Sequence, residues 1–379
     1  MPDAFKNLIN HTTVRDTAQA LQMQWPALDR QRFEQMASQG LDELEMKARA
    51  MQIAEALDAC LPVDLHAAAS LIEAALAPVR TTDADAGDTS GPGAGLNGWV
   101  VWSLGEFVAR RVERQPADLH RGLDCLHALT QRFTAEFAIR PLLRDHPSQV
   151  WPVLARWAAD PSPAVRRLAS EGSRPRLPWG LRLHASVRDP SPAFDLLEKL
   201  QDDPDEVVRR SVANHLNDIA KDHPELLADW LDRHLPGASP ARQALLRHAS
   251  RTLIKQGHPR VMAAWGLGRR FKGDANFSIT PARAEVGESV ELALTLRSGA
   301  RQAQTLVIDY AVHHVTARGQ TSAKVFKGWK LTLAAGETRT LSRRHSLKPI
   351  TTRRYYAGWH AVTVQANGAP LAEAGFHLD

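Results

Sequence analysis

Three short segments of the chain repeat a pattern of basic and acidic residues. Gln131-Arg132-Phe133-Thr134-Ala135-Glu136 aligns with Arg166-Arg167-Leu168-Ala169-Ser170-Glu171 and with Arg209-Arg210-Ser211-Val212-Ala213-Asn214. Arg132/Glu136, Arg167/Glu171 and Arg210/Asn214 are each four residues apart, a spacing that puts both members on one face of a helix. Asp218 follows Asn214 by one further turn on that face. If the segments are equivalent helices of stacked repeats, Glu136, Glu171 and Asp218 converge on one arginine-lined groove. A single such pair is ordinarily a solvated surface contact worth roughly 0.2–0.5 kcal/mol, so the recurrence carries the expectation. Carboxylates gathered in this way can stabilise a developing cation and take a proton from an attacking water.

After Glu171 the pattern breaks into Gly172-Ser-Arg174-Pro-Arg176-Leu-Pro-Trp179. Two prolines stiffen this loop, which carries two arginines and an aromatic ring. Trp179 beside a carboxylate can stack on a base or a sugar; filling the space between repeats is the structural alternative, and both stay open here. Other chemistries find no support. There is no phosphate-binding glycine loop, dinucleotide fingerprint or HExxH pair. His313-His314 falls in a strand-like stretch, where neighbouring side chains point to opposite faces and make a poor metal pair. Cys60 and Cys125 are the only cysteines, and their separation argues against a disulfide framework or a thiolate metal site. No cofactor and no metal are expected.

The elements that must position these residues are repetitive. Residues 12–80 read as helices, with Leu41, Leu44, Ala48 and Met51 at helical spacing. The stretch from Thr81 to Gly98 has no periodic apolar pattern and reads as a flexible loop. Helical patterning resumes at Trp99. Pro147, Pro190, Pro224 and Pro259 each open an apolar helix, at spacings of 43, 34 and 35 residues, and proline in a first turn forfeits no hydrogen bond. Such spacings suit two-helix repeats stacked into a solenoid. Asp160-Pro161 and Asp203-Pro204 supply turns before the second helices, and Ser239-Pro240 begins a weaker copy.

After Phe271 the period changes to two. Val290, Leu292, Leu294 and Leu296 alternate with Glu291, Ala293 and Thr295, and Leu306, Ile308, Tyr310 and Val312 continue the pattern. The expected fold is therefore multidomain, an all-α HEAT-like repeat solenoid followed by an all-β immunoglobulin-like sandwich. Its divisions are 1–80 (N-terminal helices), 81–98 (loop), 99–270 (repeats with the active site) and 271–379 (sandwich).

Charge is distributed unevenly between these parts. From Lys272 to the end there are fourteen Lys/Arg against eight Asp/Glu, whereas the rest carries 33 basic and 34 acidic residues. The basic excess suits a polyanionic partner. Its densest stretch holds Arg343, Arg344, Lys348, Arg353 and Arg354 with Tyr355 and Tyr356, residues suited to phosphate and sugar contacts; a charge-protected edge strand would look similar. No apolar run is long enough for a membrane span, the N-terminal residues do not read as an export signal, and a cytoplasmic location is expected.

The sequence resembles the AlkC class of bacterial alkylpurine DNA glycosylases, a HEAT-repeat family. The likeness rests on Ala56–Pro62, Thr134–Pro141, Ala169–Trp179 and Asn214–Pro224, and the SEGSRPRLPW stretch is the most specific of these. The C-terminal part resembles the immunoglobulin-like extension of one subgroup. The resemblance implies hydrolysis of the N-glycosidic bond of cationic methylated bases such as 3-methyladenine, 3-methylcytosine and 1-methyladenine. It implies that Glu136, Glu171, Asp218 and Trp179 surround the damaged nucleotide. Arg132, Arg140, Arg167, Arg174, Arg176, Arg210 and Asn214 are the accompanying DNA contacts expected in the helical part. The expected partner is double-stranded DNA containing alkylated bases, bound by a monomer. A non-catalytic HEAT-repeat scaffold or a DNA-damage-binding protein is the alternative that the fold alone leaves open.

Overall fold

The computed structural model describes residues 5–79, 95–267, 270–350 and 354–379. Most of the expected loop at 81–98 thus lies outside the described residues, as does Arg353. The helices in chain order are α1 (His11–Gln24), α2 (Arg30–Ser38), α3 (Met46–Cys60), α4 (Leu65–Ala75), α5 (Val100–Arg114), α6 (Leu119–Thr130), α7 (Ile139–Asp145) and α8 (Pro147–Trp157). They continue with α9 (Pro163–Gly172), α10 (His184–Arg188), α11 (Phe194–Leu200), α12 (Glu206–Ala220), α13 (Pro224–His234), α14 (Pro240–Ala249), α15 (Arg251–Gln256) and α16 (Pro259–Ala264). Packing divides the chain into two compact units. One is Met1–Asp222 with Ser239–Ala249, and the other is His223–Ala238 with Ser250–Asp379.

In the first unit, helix starts follow local chemistry. Asn10 and Asp64 accept backbone N–H groups at the starts of α1 and α4, satisfying donors that a helix leaves unpaired. Pro147 and Pro163 stand in the first turns of α8 and α9. Pro190 does not open a helix directly: a 3₁₀ turn at Ser191–Ala193 precedes α11, because the short Asp-Pro-Ser-Pro run fixes backbone angles that favour a turn. Leu41–Glu43 is likewise a 3₁₀ turn and α3 starts only at Met46, so the apolar spacing there spans two elements.

The repeat has a staple that joins equivalent helices of successive repeats. Asp160 accepts the Ser162 N–H at 2.8 Å and reaches back to His127 of α6, also at 2.8 Å. Asp203 accepts the Asp205 N–H at 2.9 Å and takes a two-pronged contact from Arg166 of α9 at 2.6 and 3.0 Å. Each Asp-Pro turn therefore leads into one helix and grips the equivalent helix of the preceding repeat. Helix α9 packs against α6, α8, α11 and α12, and α12 also packs against α14. Gly172 closes α9 where a Cβ would lie 2.4 Å from the Ile139 side chain, so only glycine permits this approach to α7.

The second unit contains α13, α15, α16 and eight strands: β1 (Gly273–Thr280), β2 (Arg283–Ala284), β3 (Ser289–Ser298), β4 (Gln304–Val315), β5 (Thr321–Leu333), β6 (Thr338–Ser346), β7 (Gly358–Ala366) and β8 (Ala369–Leu378). They form a sheet of order β1-β3-β6 and another of order β2-β8-β7-β4-β5, antiparallel throughout except for the β2–β8 pair. The alternating residues read from the sequence, Leu292, Leu294, Ile308 and Val312 among them, fill the space between the sheets. Gly328 is the extra residue at a bulge in β5 opposite Ile308/Asp309, where a Cβ would lie 2.5 Å from the Ile308 carbonyl oxygen. Among the described residues no helix is long and apolar enough to cross a membrane.

Candidate active site

The acids expected to converge come from three different settings of the helical unit. Glu171 lies in the last turn of α9, and Asp218 in the last turn of α12. Both sit near the negative end of a helix, where backbone electrostatics disfavour an anion. Arg174, on the loop after α9, offsets both. Its Nη1 donates to Glu171 Oε1 at 2.5 Å, its Nε donates to Asp218 Oδ2 at 2.9 Å, and its Nη2 lies 2.8 Å from the same oxygen in the ion pair. Lys221 adds a contact to Asp218 at 2.8 Å, and the Ser211 hydroxyl donates to Glu171 at 2.6 Å. Asp218 is only 1% exposed. Burial pulls the Arg174 pKa down, but the charges of Glu171 and Asp218 outweigh it and hold the guanidinium above its ordinary value.

Glu136 is not on a helix. Residues 131–138 form a turn between α6 and α7, so the expected shared face of Arg132 and Glu136 does not exist. Thr134 is the physical reason. Its hydroxyl accepts the Glu136 N–H at 3.2 Å and donates to the Glu136 carboxylate at 2.8 Å, a local bond that competes with the helical pattern. Arg132 instead donates to the Ala77 and Ala128 carbonyls.

The pairing along α9 also differs from the spacing. Arg167 reaches Glu136 at 2.7 Å and Thr134 at 3.1 Å and leaves Glu171 to Arg174. On α12, Arg210 is 65% exposed on its side chain and stands 4.0 Å from Glu206, while Asn214 meets His248 of α14 at 3.1 Å.

Arg140, expected among the DNA contacts, is fully buried. It donates to the Leu181 carbonyl at 2.5 Å and the Gly172 carbonyl at 2.8 Å, clasping the loop that carries Arg174 and Trp179 at both ends. Burial, reinforced by repulsion from Arg174, draws its pKa down to about 10 against the opposing pull of Asp218, Glu136 and Glu171. His215 of α12 is also fully buried, and its Nδ1–H donates to the Ser170 carbonyl at 3.0 Å. Desolvation first, then the nearby Arg174 charge, pushes its pKa down to about 3, so the imidazole is neutral. Arg176, at the loop's outer edge, pairs with Asp222 at 2.6 and 2.5 Å.

Trp179 adopts a left-handed backbone (φ 63°) and its residue is 61% exposed. Near it runs a row of aromatic rings that sequence reasoning did not single out: Phe5, Trp99 and Phe133, with Trp102 stacked on Phe137 at 4.5 Å. Phe133 and Phe137 flank Glu136, and their aromatic character was the available signal. Ser211 and Lys221 were missed as well, although Lys221 stands three residues after Asp218. The structure thus joins Glu171, Asp218 and Arg174 directly and Glu136 to Arg167, with Trp179 on the loop between.

In the sandwich, Arg344, Lys348 and Arg354 are exposed; Arg344 donates to Ser289 at 2.6 Å, and the Arg354 guanidinium lies over the Tyr356 ring. Arg343 is drawn to the backbone of β5, donating to the carbonyls of Lys327 and Gly328. Lys324, Lys327 and Lys330 of β5 are exposed too, an array the sequence reading left out because it follows a strand and not a dense run. Among the described residues no group of three or more His, Cys, Asp or Glu side chains could hold a metal, and Cys60 and Cys125 are free thiols.

Comparison with known proteins places this geometry in a family. Residues 133–253 match the family model described as DNA alkylation repair enzyme, and residues 273–379 match that of the YhaZ C-terminal Ig-like domain. The chain is 33% identical over 366 residues to the uncharacterized protein YhaZ of Bacillus subtilis (strain 168), covering 96% of each chain. It is similar in structure to Pseudomonas fluorescens alkylpurine DNA glycosylase AlkC, solved bound to DNA containing an abasic site analog. That match has 35% identity and a TM-score of 0.87 and covers 100% of both chains. With both parts of the chain matched and nearly its whole length shared with these relatives, the chain belongs to the AlkC/YhaZ-type family of DNA alkylation repair proteins.

Proposed function

We propose that this chain is a DNA glycosylase that hydrolyses the N-glycosidic bond of cationic methylated bases in double-stranded DNA, with 3-methyladenine, 3-methylcytosine and 1-methyladenine as its substrate class. The observation that carries this reading is the ion pairing of two acids from different helices, Glu171 and Asp218, to the single buried guanidinium of Arg174, on the same loop as the exposed Trp179. The relative solved with abasic-site DNA lends support, because an abasic sugar is what such a reaction leaves behind.

The chemistry follows from the charge of the lesion. A methylated cationic base leaves with the glycosidic electron pair and becomes neutral, so it needs no protonation. The sugar left behind is an oxocarbenium-like cation, which nearby carboxylates stabilise. Asp218, with Glu136 or Glu171 as its partner, orients a water whose oxygen bonds to the anomeric carbon and whose proton passes to a carboxylate. Trp179 packs against the sugar or the cationic base. The exposed Arg344, Lys348 and Arg354 of the sandwich, with Arg353, contact phosphates without reading sequence. On this reading the protein works as a cytoplasmic monomer.

The test is direct. Duplex DNA carrying each lesion is incubated with the protein, and free bases are separated by chromatography. Release of cationic methylated bases, with unmodified purines retained, is expected. If none of the three lesions is released, the proposed activity is wrong.

A further inference from the structure

Trp179 is one of two non-glycine residues with a left-handed backbone among those described, the other being Asn367. A bulky side chain holds that conformation only where its surroundings over-determine it. Burial does not hold the indole, since Trp179 is largely exposed. The aromatic neighbour found against it is Phe5, with ring centroids 5.7 Å apart and planes tilted by 55°. Phe5 in turn meets Trp99 edge-on at 4.9 Å, and Trp99 meets Phe133 at 4.6 Å. Phe133 belongs to the same turn as Glu136. A continuous aromatic row therefore runs from the turn that carries one site acid to the exposed indole.

The 3₁₀ turn that carries Phe5 (Phe5–Leu8) is anchored. A buried guanidinium supplies the anchor. Arg49 of α3, 1% exposed, donates from Nη1 to the Lys6 carbonyl at 3.2 Å and the Ile9 carbonyl at 2.7 Å. Its Nε and Nη2 donate to the Leu44 and Asp42 carbonyls. All of these bonds go to backbone carbonyls. Such a clamp fixes the path of the segment, whereas an ion pair would fix only a side chain.

We propose that Phe5 is a positioning residue of the site: backed by Trp99 and held in place through Arg49, it sets the orientation in which Trp179 meets the damaged nucleotide. The inference deepens the glycosylase reading and rests on it for its kinetic arm. Phe5 touches neither acid, and its effect passes through the indole.

The test uses the full chain labelled with 5-fluorotryptophan, the Trp179 resonance being identified by its loss in Trp179→Phe. Phe5→Ala is expected to move the Trp179 fluorine resonance toward the value of a free indole. It should also lower the single-turnover rate of base release on the order of tenfold, the scale of a modest misplacement of a contacting group. Phe5→Tyr should restore both. Phe5→Leu keeps apolar volume without the ring and should behave like Phe5→Ala, which guards against a folding defect in the alanine variant. An unmoved Trp179 resonance in Phe5→Leu, or a moved resonance with an unchanged rate, overturns the proposal. If the wild-type protein releases no methylated base, the glycosylase reading fails on its own, and the fluorine shift still decides whether Phe5 positions Trp179.

Discussion

Around Arg174 in the helical unit, cations and anions are buried against one another; along β5 and β6 of the sandwich, cations stand in solvent. The two arrangements cost different amounts. Taking ions out of water is expensive, and a buried pair often stabilises no better than packed apolar residues would. The proposed chemistry gives a reason to keep Glu171 and Asp218 buried near two helix C-termini with Arg174 between them. Exposed lysines and arginines cost little and act through long-range, salt-screened attraction. On the proposed reading, the helical unit carries charge for chemistry and the sandwich carries it for attraction.

The largest expected effect breaks the buried arrangement outright. Arg174→Met leaves two buried carboxylates without their shared partner, and unfolding stability should fall by about 3–5 kcal/mol; a loss under about 1 kcal/mol in denaturant titration would mean that solvent already compensates these acids. Next in size, Asp218→Asn should slow base release by about a hundredfold or more, the scale for removing one electrostatic contact to a transition state, with little change in DNA affinity. Unchanged turnover would remove Asp218 from the mechanism.

A third variant probes burial through pH. The His215 pKa lies near 3 in the folded protein against about 6.5 unfolded. The unfolded chain therefore binds the extra proton between these values, and stability is lost as pH falls from about 6.5 toward 3. Each pH unit in that window costs up to about 1.4 kcal/mol. His215→Leu should flatten that limb, and an identical acid limb would show that other groups dominate it. The smallest effect belongs to the sandwich. Arg353→Ala with Arg354→Ala should weaken binding to every DNA sequence alike and make the salt dependence shallower by about two charges. An unaltered slope would mean that these arginines grip no phosphate.

The legible parts of this molecule were those written in local spacing. Proline at positions such as 147 and 224, the Asp160-Pro161 and Asp203-Pro204 turns, and the two-residue alternation of Val290–Leu296 depend only on backbone rules, and the chain follows them. Asn214 and Asp218 share a helix as their spacing required. Partner choice was not legible, because it depends on distances between helices. Arg167 passes over Glu171, four residues away on its own helix, to reach Glu136. Arg140 looks like any basic residue until the loop it clasps is folded over it. Glu136 left its expected helix because of one threonine hydroxyl, and Phe5 meets Trp179 across a sequence separation that no periodicity spans.

The single guanidinium shared by Glu171 and Asp218 has one more consequence. Removing either acid changes the surroundings of the other, since Arg174 is then free to turn wholly toward the acid that remains. The two residues cannot be scored as independent contributors: a double-mutant cycle across them should be strongly non-additive, as for groups that act as one unit. Two positions on different helices are thus coupled through one side chain: losing the second acid, which strands the Arg174 guanidinium, should cost more stability than losing the first.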